Sequence, residues 1–133
     1  MKPSLKPGLA HARTITVDDS RVIEFMGDDC RVYATPRIIS DVEYTCRDFL
    51  LAHLDEGEDS VGTKINWEHV GPALLGEAVT VAVKLAQVDG RRVTFEATVT
   101  AGADQVARGT HERFIVDIHK VRERLLKRKA RAG

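Results

Sequence analysis

The chain has 133 residues, 43% hydrophobic and 30% charged, which suits one domain with a real core and is too short for two. No stretch approaches the roughly 18 consecutive apolar residues of a membrane span, and the start, MKPSLKPGLAHARTITV, is broken by Pro3, Pro7 and Gly8 where a secretory signal would be apolar; a soluble, cytoplasmic protein with no membrane attachment is expected. Lys and Arg balance Asp and Glu at 20 each, yet residues 118–133 hold seven Lys or Arg and one Glu, so this tail carries +6 and the rest −6.

In chain order, residues 1–8 read as a flexible lead and Leu9 to Val17 alternates as a first strand. Arg21 to Met26 is a short apolar segment without a clear period, and Gly27-Asp28-Asp29 reads as a turn. The strongest helix follows. Thr35 suits its N-cap, Pro36 its first turn, and Ile38, Val42, Cys46 and Phe49 recur at helical spacing, with an end near Leu54.

From Val61 the period becomes two, giving strands at VGTKINWEHV, AVTVAVKLAQV, RVTFEATVTA and QVARGTHERFIVDI. Asp89-Gly90 marks a hairpin and Gly102-Ala103-Asp104 a second. Ile118 to Arg131 reads as a basic helix with Val121, Leu125 and Leu126 along its apolar edge. One long helix followed by antiparallel strands predicts an α+β domain with the helix across one face of the sheet. Such a sheet leaves edges that a second copy can cover.

Cys30 and Cys46 lack paired metal or redox spacing and read as free thiols. The remaining histidines are scattered, so no metal site and no cofactor are expected. Glycine-rich phosphate loops, zinc-protease and nucleophile-elbow patterns are missing as well.

Five residues can carry chemistry. His69 closes the strand face that runs Val61, Thr63, Ile65, Trp67; it is either a proton carrier or a hydrogen-bonded residue at the strand end. Glu43 lies at the margin of the helix stripe and most simply pairs with Arg47 one turn on. Thr35 most simply caps the helix, where its hydroxyl would also meet the positive end of the helix dipole. Gly62 permits close approach to the backbone, and Arg113 can fork onto a carboxylate or phosphate.

Taken as an ordered set, Val32-Tyr33-Ala34-Thr35 with Glu43, Val61-Gly62-Thr63 with His69, Asp89-Gly90-Arg91-Arg92 and Gly109-Thr110-His111-Glu112-Arg113 resemble the fluoroacetyl-CoA thioesterase family of hotdog-fold acyl-CoA thioesterases. The resemblance implies an antiparallel sheet wrapped around the long helix and active sites between the subunits of a homodimer. It places Thr35, Glu43 and His69 on the catalytic triad, Gly62 on the glycine that binds the carbonyl oxygen, and Arg113 on the active-site arginine. The implied activity is hydrolysis of a small or medium acyl-CoA, with a non-catalytic acyl-CoA-binding protein as the alternative.

Two departures separate the chain from the fluoroacetyl-specific enzyme: Pro36 stands where that enzyme has glycine, and the polar Gly27-Asp28-Asp29-Cys30 lies where it has an aromatic lid. Selectivity for the fluorinated acyl group is therefore not carried over. Nucleic acid is not expected as a partner, because the basic tail lacks interleaved aromatics and the rest of the chain is acidic. Gly62 and His69 are seven residues apart, roughly 23 Å on an ideal strand, which predicts that a site using both takes them from different subunits.

Overall fold

The computed structural model describes residues 1–133. Five strands, β1 (Ala10–Thr16), β2 (Glu58–His69), β3 (Ala78–Asp89), β4 (Arg92–Ala101) and β5 (Asp104–Asp117), form one antiparallel sheet in the order β1-β3-β4-β5-β2. The long helix α1 (Thr35–Leu51) lies across one face, and α2 (Ile118–Ala132) continues from β5. This is the α+β arrangement, helix across one face of the sheet, that the pattern predicts, and it fits the hotdog architecture that the resemblance implies.

The central strands alternate because one face meets α1 and the other meets solvent. Val79, Val81, Val83 and Leu85 of β3 and Val93, Phe95, Ala97 and Val99 of β4 point inward, and all are buried. Against them α1 lays Ile38, Val42, Cys46 and Leu50, each at most 1% exposed. Every Val or Leu fully removed from water here contributes about 1.5–3 kcal/mol. The two hairpins turn through Gly90 and Gly102, whose φ angles of 60° and 59° favour glycine.

Three local expectations change. Thr35 does not cap α1: Ala34 holds that position with no side-chain bond, and Thr35 and Pro36 form the first turn. The helix stops at Leu51, short of Leu54, in a turn where His53 N–H donates to the Leu50 carbonyl. Arg47 does not pair with Glu43; its Nε and Nη2 grip Asp59 at 3.0 and 2.7 Å. In residues 1–8, Leu5 is buried and the Met1 amine is bound by Asp55 and Glu58, while Lys2, Pro3, Ser4, Lys6, Pro7 and Gly8 are exposed.

The Arg21–Met26 stretch becomes a short 3-10 turn over Asp19–Arg21 and a bridge between Val22 and Tyr33. A polar knot pins this excursion to α1. The buried Tyr33 hydroxyl donates to Asp41, which Arg21 also holds through Nε at 2.8 Å and Nη2 at 3.0 Å. Burial, then the bond to Asp41, pushes the Tyr33 phenol far above its ordinary pKa.

β2 is an edge strand, and it is irregular at one point. Its pairing with β5 runs Ser60 to Ile115 and Gly62 to Arg113, then resumes with Lys64 opposite Glu112, leaving Thr63 as a bulge. Strand periodicity puts residues seven apart on opposite faces. One inserted residue reverses that. Gly62, Ile65, Trp67 and His69 lie opposite Arg113, His111, Gly109 and Ala107, so they share the face turned toward α1. The inward face is therefore Ser60, Gly62, Ile65, Trp67 and His69, not the unbroken odd series read from the sequence.

Candidate active site

Two groups of side chains meet between α1 and β2. At the N-terminal end of α1, Thr35 Oγ1 and His69 Nδ1 share a hydrogen bond of 2.7 Å. Released from capping, the hydroxyl orients the imidazole. It occupies Nδ1 and leaves Nε2 as the ring nitrogen able to exchange a proton with a ligand.

The second group lies two turns along α1, where Glu43 faces Gly62. A methyl on Gly62 would stand 3.0 Å from Glu43 Oε2 and 3.2 Å from His111 Cε1. Both distances are tighter than ordinary carbon contacts, so glycine is what keeps this backbone open. Behind it Arg113, 4% exposed, donates from Nε to Ser60 Oγ at 2.7 Å and from Nη2 to the Ser60 carbonyl at 2.8 Å. Its Nη1 lies 3.2 Å from His111 Nε2 and 3.7 Å from Glu43 Oε2. Burial holds the guanidinium below its ordinary pKa, and the Glu43 carboxylate is the largest opposing influence.

His111 was not among the five site residues read from the sequence. It is 2% exposed and sits between an obligate donor, Arg113, and an obligate acceptor, the Lys64 carbonyl 2.9 Å from Nδ1. Those partners fix the neutral tautomer with its proton on Nδ1. Burial, followed by the neighbouring Arg113 cation, moves its pKa below 6.5 against the pull of the Lys64 carbonyl. Its sequence signal was parity with Arg113, since residues 111 and 113 of one strand share a face.

The Glu43–Gly62 region opens into a cleft of about 710 Å³ whose lining includes Pro36, Ile39, Ser40, Tyr44 and Val61. The Cys46 thiol behind it is pushed up to about 12, chiefly by burial, which keeps it out of nucleophilic chemistry. Cys30 is exposed and unpaired. No group of three or more His, Cys, Asp or Glu is arranged to hold a metal ion.

All five expected residues thus border the space between α1 and β2, as two sets: Thr35 with His69, and Glu43 with Gly62 and Arg113. Thr35 and Glu43 are eight residues apart on α1, about 12 Å of helical rise. The two sets are therefore spaced apart along α1.

Known proteins resemble this chain in sequence and in fold. The sequence profile of the fluoroacetyl-CoA-specific thioesterase family (FlK) matches residues 17–119. The fluoroacetyl-CoA thioesterase of Streptantibioticus cattleyicolor is 34% identical over 89 residues, a match spanning 67% of this chain and 64% of that protein. A crystal structure of a single-site mutant of the fluoroacetyl-CoA-specific thioesterase FlK superposes with a TM-score of 0.86 at 25% identity, covering 96% of this chain and 99% of that one. A Thermus thermophilus thioesterase superfamily member gives 0.85 at 26% identity, with 98% and 99% covered. A hot-dog-like protein from Thermanaerovibrio acidaminovorans, at 24% identity and a TM-score of 0.83 over 96% of this chain and 93% of its own, shares the fold. The chain belongs to the fluoroacetyl-CoA-specific thioesterase family and has its hotdog fold.

Proposed function

We propose that the protein hydrolyses a small or medium acyl-CoA thioester to the free acid and CoA. The observation that carries this reading is the open Gly62 backbone held against the Glu43 carboxylate, 3.0 Å from where a side chain would begin. A thioester carbonyl needs a donor for its oxygen, a carboxylate for attack and a proton for the departing thiolate.

In this reading the Gly62 N–H receives the carbonyl oxygen. Glu43 attacks the carbonyl carbon or draws a proton from a water that does so, and the tetrahedral centre collapses with cleavage of the C–S bond; on the first route water then opens the Glu43 anhydride, giving the free acid and returning the carboxylate. His69, oriented by Thr35, delivers a proton from Nε2 to the CoA sulfur. Arg113 keeps Glu43 beside the reacting carbon and is itself held by Ser60 and His111.

The separation of the two residue sets supports a homodimer in which each site takes Glu43, Gly62 and Arg113 from one subunit and Thr35 and His69 from the other. β2 has one unpaired edge, and Val61 on it remains 44% exposed. Antiparallel pairing of β2 with its two-fold copy would bring the Gly62 region of one chain to the His69 region of the next. A CoA substrate places the reaction in the cytoplasm, and no helix is long and apolar enough to cross a membrane.

The test is thiol release from a panel of CoA thioesters varied in chain length, branching and polarity. Turnover of at least one small or medium acyl group, abolished by Glu43→Gln, is expected. Tight acyl-CoA binding with no thiol released from any member would establish the non-catalytic alternative instead.

A further inference from the structure

The C-terminal helix performs no packing that explains it. None of its 15 residues is buried, and Leu125 and Leu126 are 60% and 51% exposed. An isolated helix of this length is marginal in water, and seven like charges disfavour it further. Its one close side-chain contact with a carboxylate is His119 Nε2 to Glu123 at 3.4 Å, one turn apart. At 3.6 residues per turn, Lys120, Arg124, Lys127, Arg128 and Arg131 fall within an arc of roughly 100°, and none of them has a carboxylate partner.

The helix is also well placed. β5 carries Arg113 inward and runs directly into α2, with only Phe114 to Asp117 between them, a path of about 13 Å. Asp117 caps α2 by accepting from the Lys120 N–H at 3.1 Å, and the Ile118 N–H donates to Gly57 at 2.9 Å, so the helix leaves from the Gly62 end of β2.

We infer that this cationic face of α2 binds the nucleotide phosphates of CoA while the acyl end occupies the cleft. The inference rests on the thioesterase reading. CoA joins its thioester to a diphosphate and a ribose phosphate through a flexible pantetheine arm, which lets the acyl end enter the cleft while the charged end meets α2. The charge pattern favours a compact polyanion over a nucleic acid: residues 1–117 carry −6, which opposes a long strand lying across the body, whereas CoA concentrates its charge at one end.

The experiment compares wild type with a variant carrying Lys120→Gln, Arg124→Gln, Lys127→Gln and Arg128→Gln on two substrates with the same acyl group, one a CoA thioester and one a pantetheine thioester without the nucleotide. The expected result is a KM for the CoA thioester raised about tenfold or more, equivalent to about 1.4 kcal/mol, with kcat unchanged and pantetheine kinetics unaltered. Added salt should raise the wild-type KM for the CoA thioester and scarcely affect the variant. No change with the CoA thioester, or equal change with both, overturns the inference. So does loss of binding to RNA or to anionic vesicles with an unchanged KM. Should neither substrate be hydrolysed, the thioesterase reading fails by itself, and calorimetry with free CoA still decides the inference: equal affinity in the two proteins contradicts it.

Discussion

β2 and β3 look alike in sequence, both 12 residues long with apolar residues on alternate positions, yet the fold treats them oppositely. β3 lies between two strands under α1 and buries Val79, Val81, Val83 and Leu85. β2 lies at the edge, buries only Ser60 and breaks its alternation at Thr63. Periodicity reports which way side chains point and is silent on whether anything covers them. β3 is committed to stability. β2 keeps its inward groups free, and that is where Gly62 and His69 stand.

If the contrast holds, substitutions on the two sides should affect different observables. The largest effect is expected from Glu43→Gln, which should lower kcat about a thousandfold while costing no more than about 1 kcal/mol of stability, because the carboxylate is 42% exposed and 3.7 Å from its arginine. Steady-state kinetics beside thermal unfolding would separate the two. Leu85→Ala should do the reverse, with about 2–5 kcal/mol lost in denaturant titration and normal turnover per folded molecule. Thr35→Val removes the partner of His69 Nδ1 and should reduce kcat about 10- to 100-fold with little change in melting temperature.

The smallest effect concerns His111 and pH. Its folded pKa is below the ordinary 6.5, so as pH falls through 6.5 the unfolded chain takes up the proton first and the native state loses stability. Above 6.5 this residue contributes no pH dependence. Glu58 and Asp59, whose pKa values lie below 4.5 and 3.8, lose their contributions at lower pH. The His111 part should therefore be read between about pH 6.5 and 4.5, and His111→Gln should flatten the stability curve there. An unchanged slope in the variant would remove the neutral, buried role assigned to this ring.

Much of this was legible beforehand, for identifiable reasons. The buried stripe of α1, the Asp89-Gly90 hairpin and the strand series follow from local periodicity and turn chemistry, which tertiary packing reinforces. The five site residues were reached through their ordered spacing, since the chemistry of each alone is ambiguous. Parity misled at Thr63, because a bulge depends on the partner strand and carries no strong local signal. The Tyr33–Asp41–Arg21 knot was hidden for a similar reason: its polar groups come from three segments and meet only in the fold. Thr35 shows how capping propensity yields to tertiary context, its hydroxyl being drawn to His69 instead of to its own helix.

The central claim is that the free face of β2 holds two half-sites that a second subunit unites. Subunit hybrids test it directly. Glu43→Gln and His69→Gln homodimers should each be nearly inactive, and exchange of their subunits should restore about one quarter of wild-type activity, since half of the re-formed C2 dimers are mixed and each mixed dimer contains one intact site. No recovery on verified mixing would mean that Glu43 and His69 serve the same carbonyl from one chain, and the divided site would be wrong.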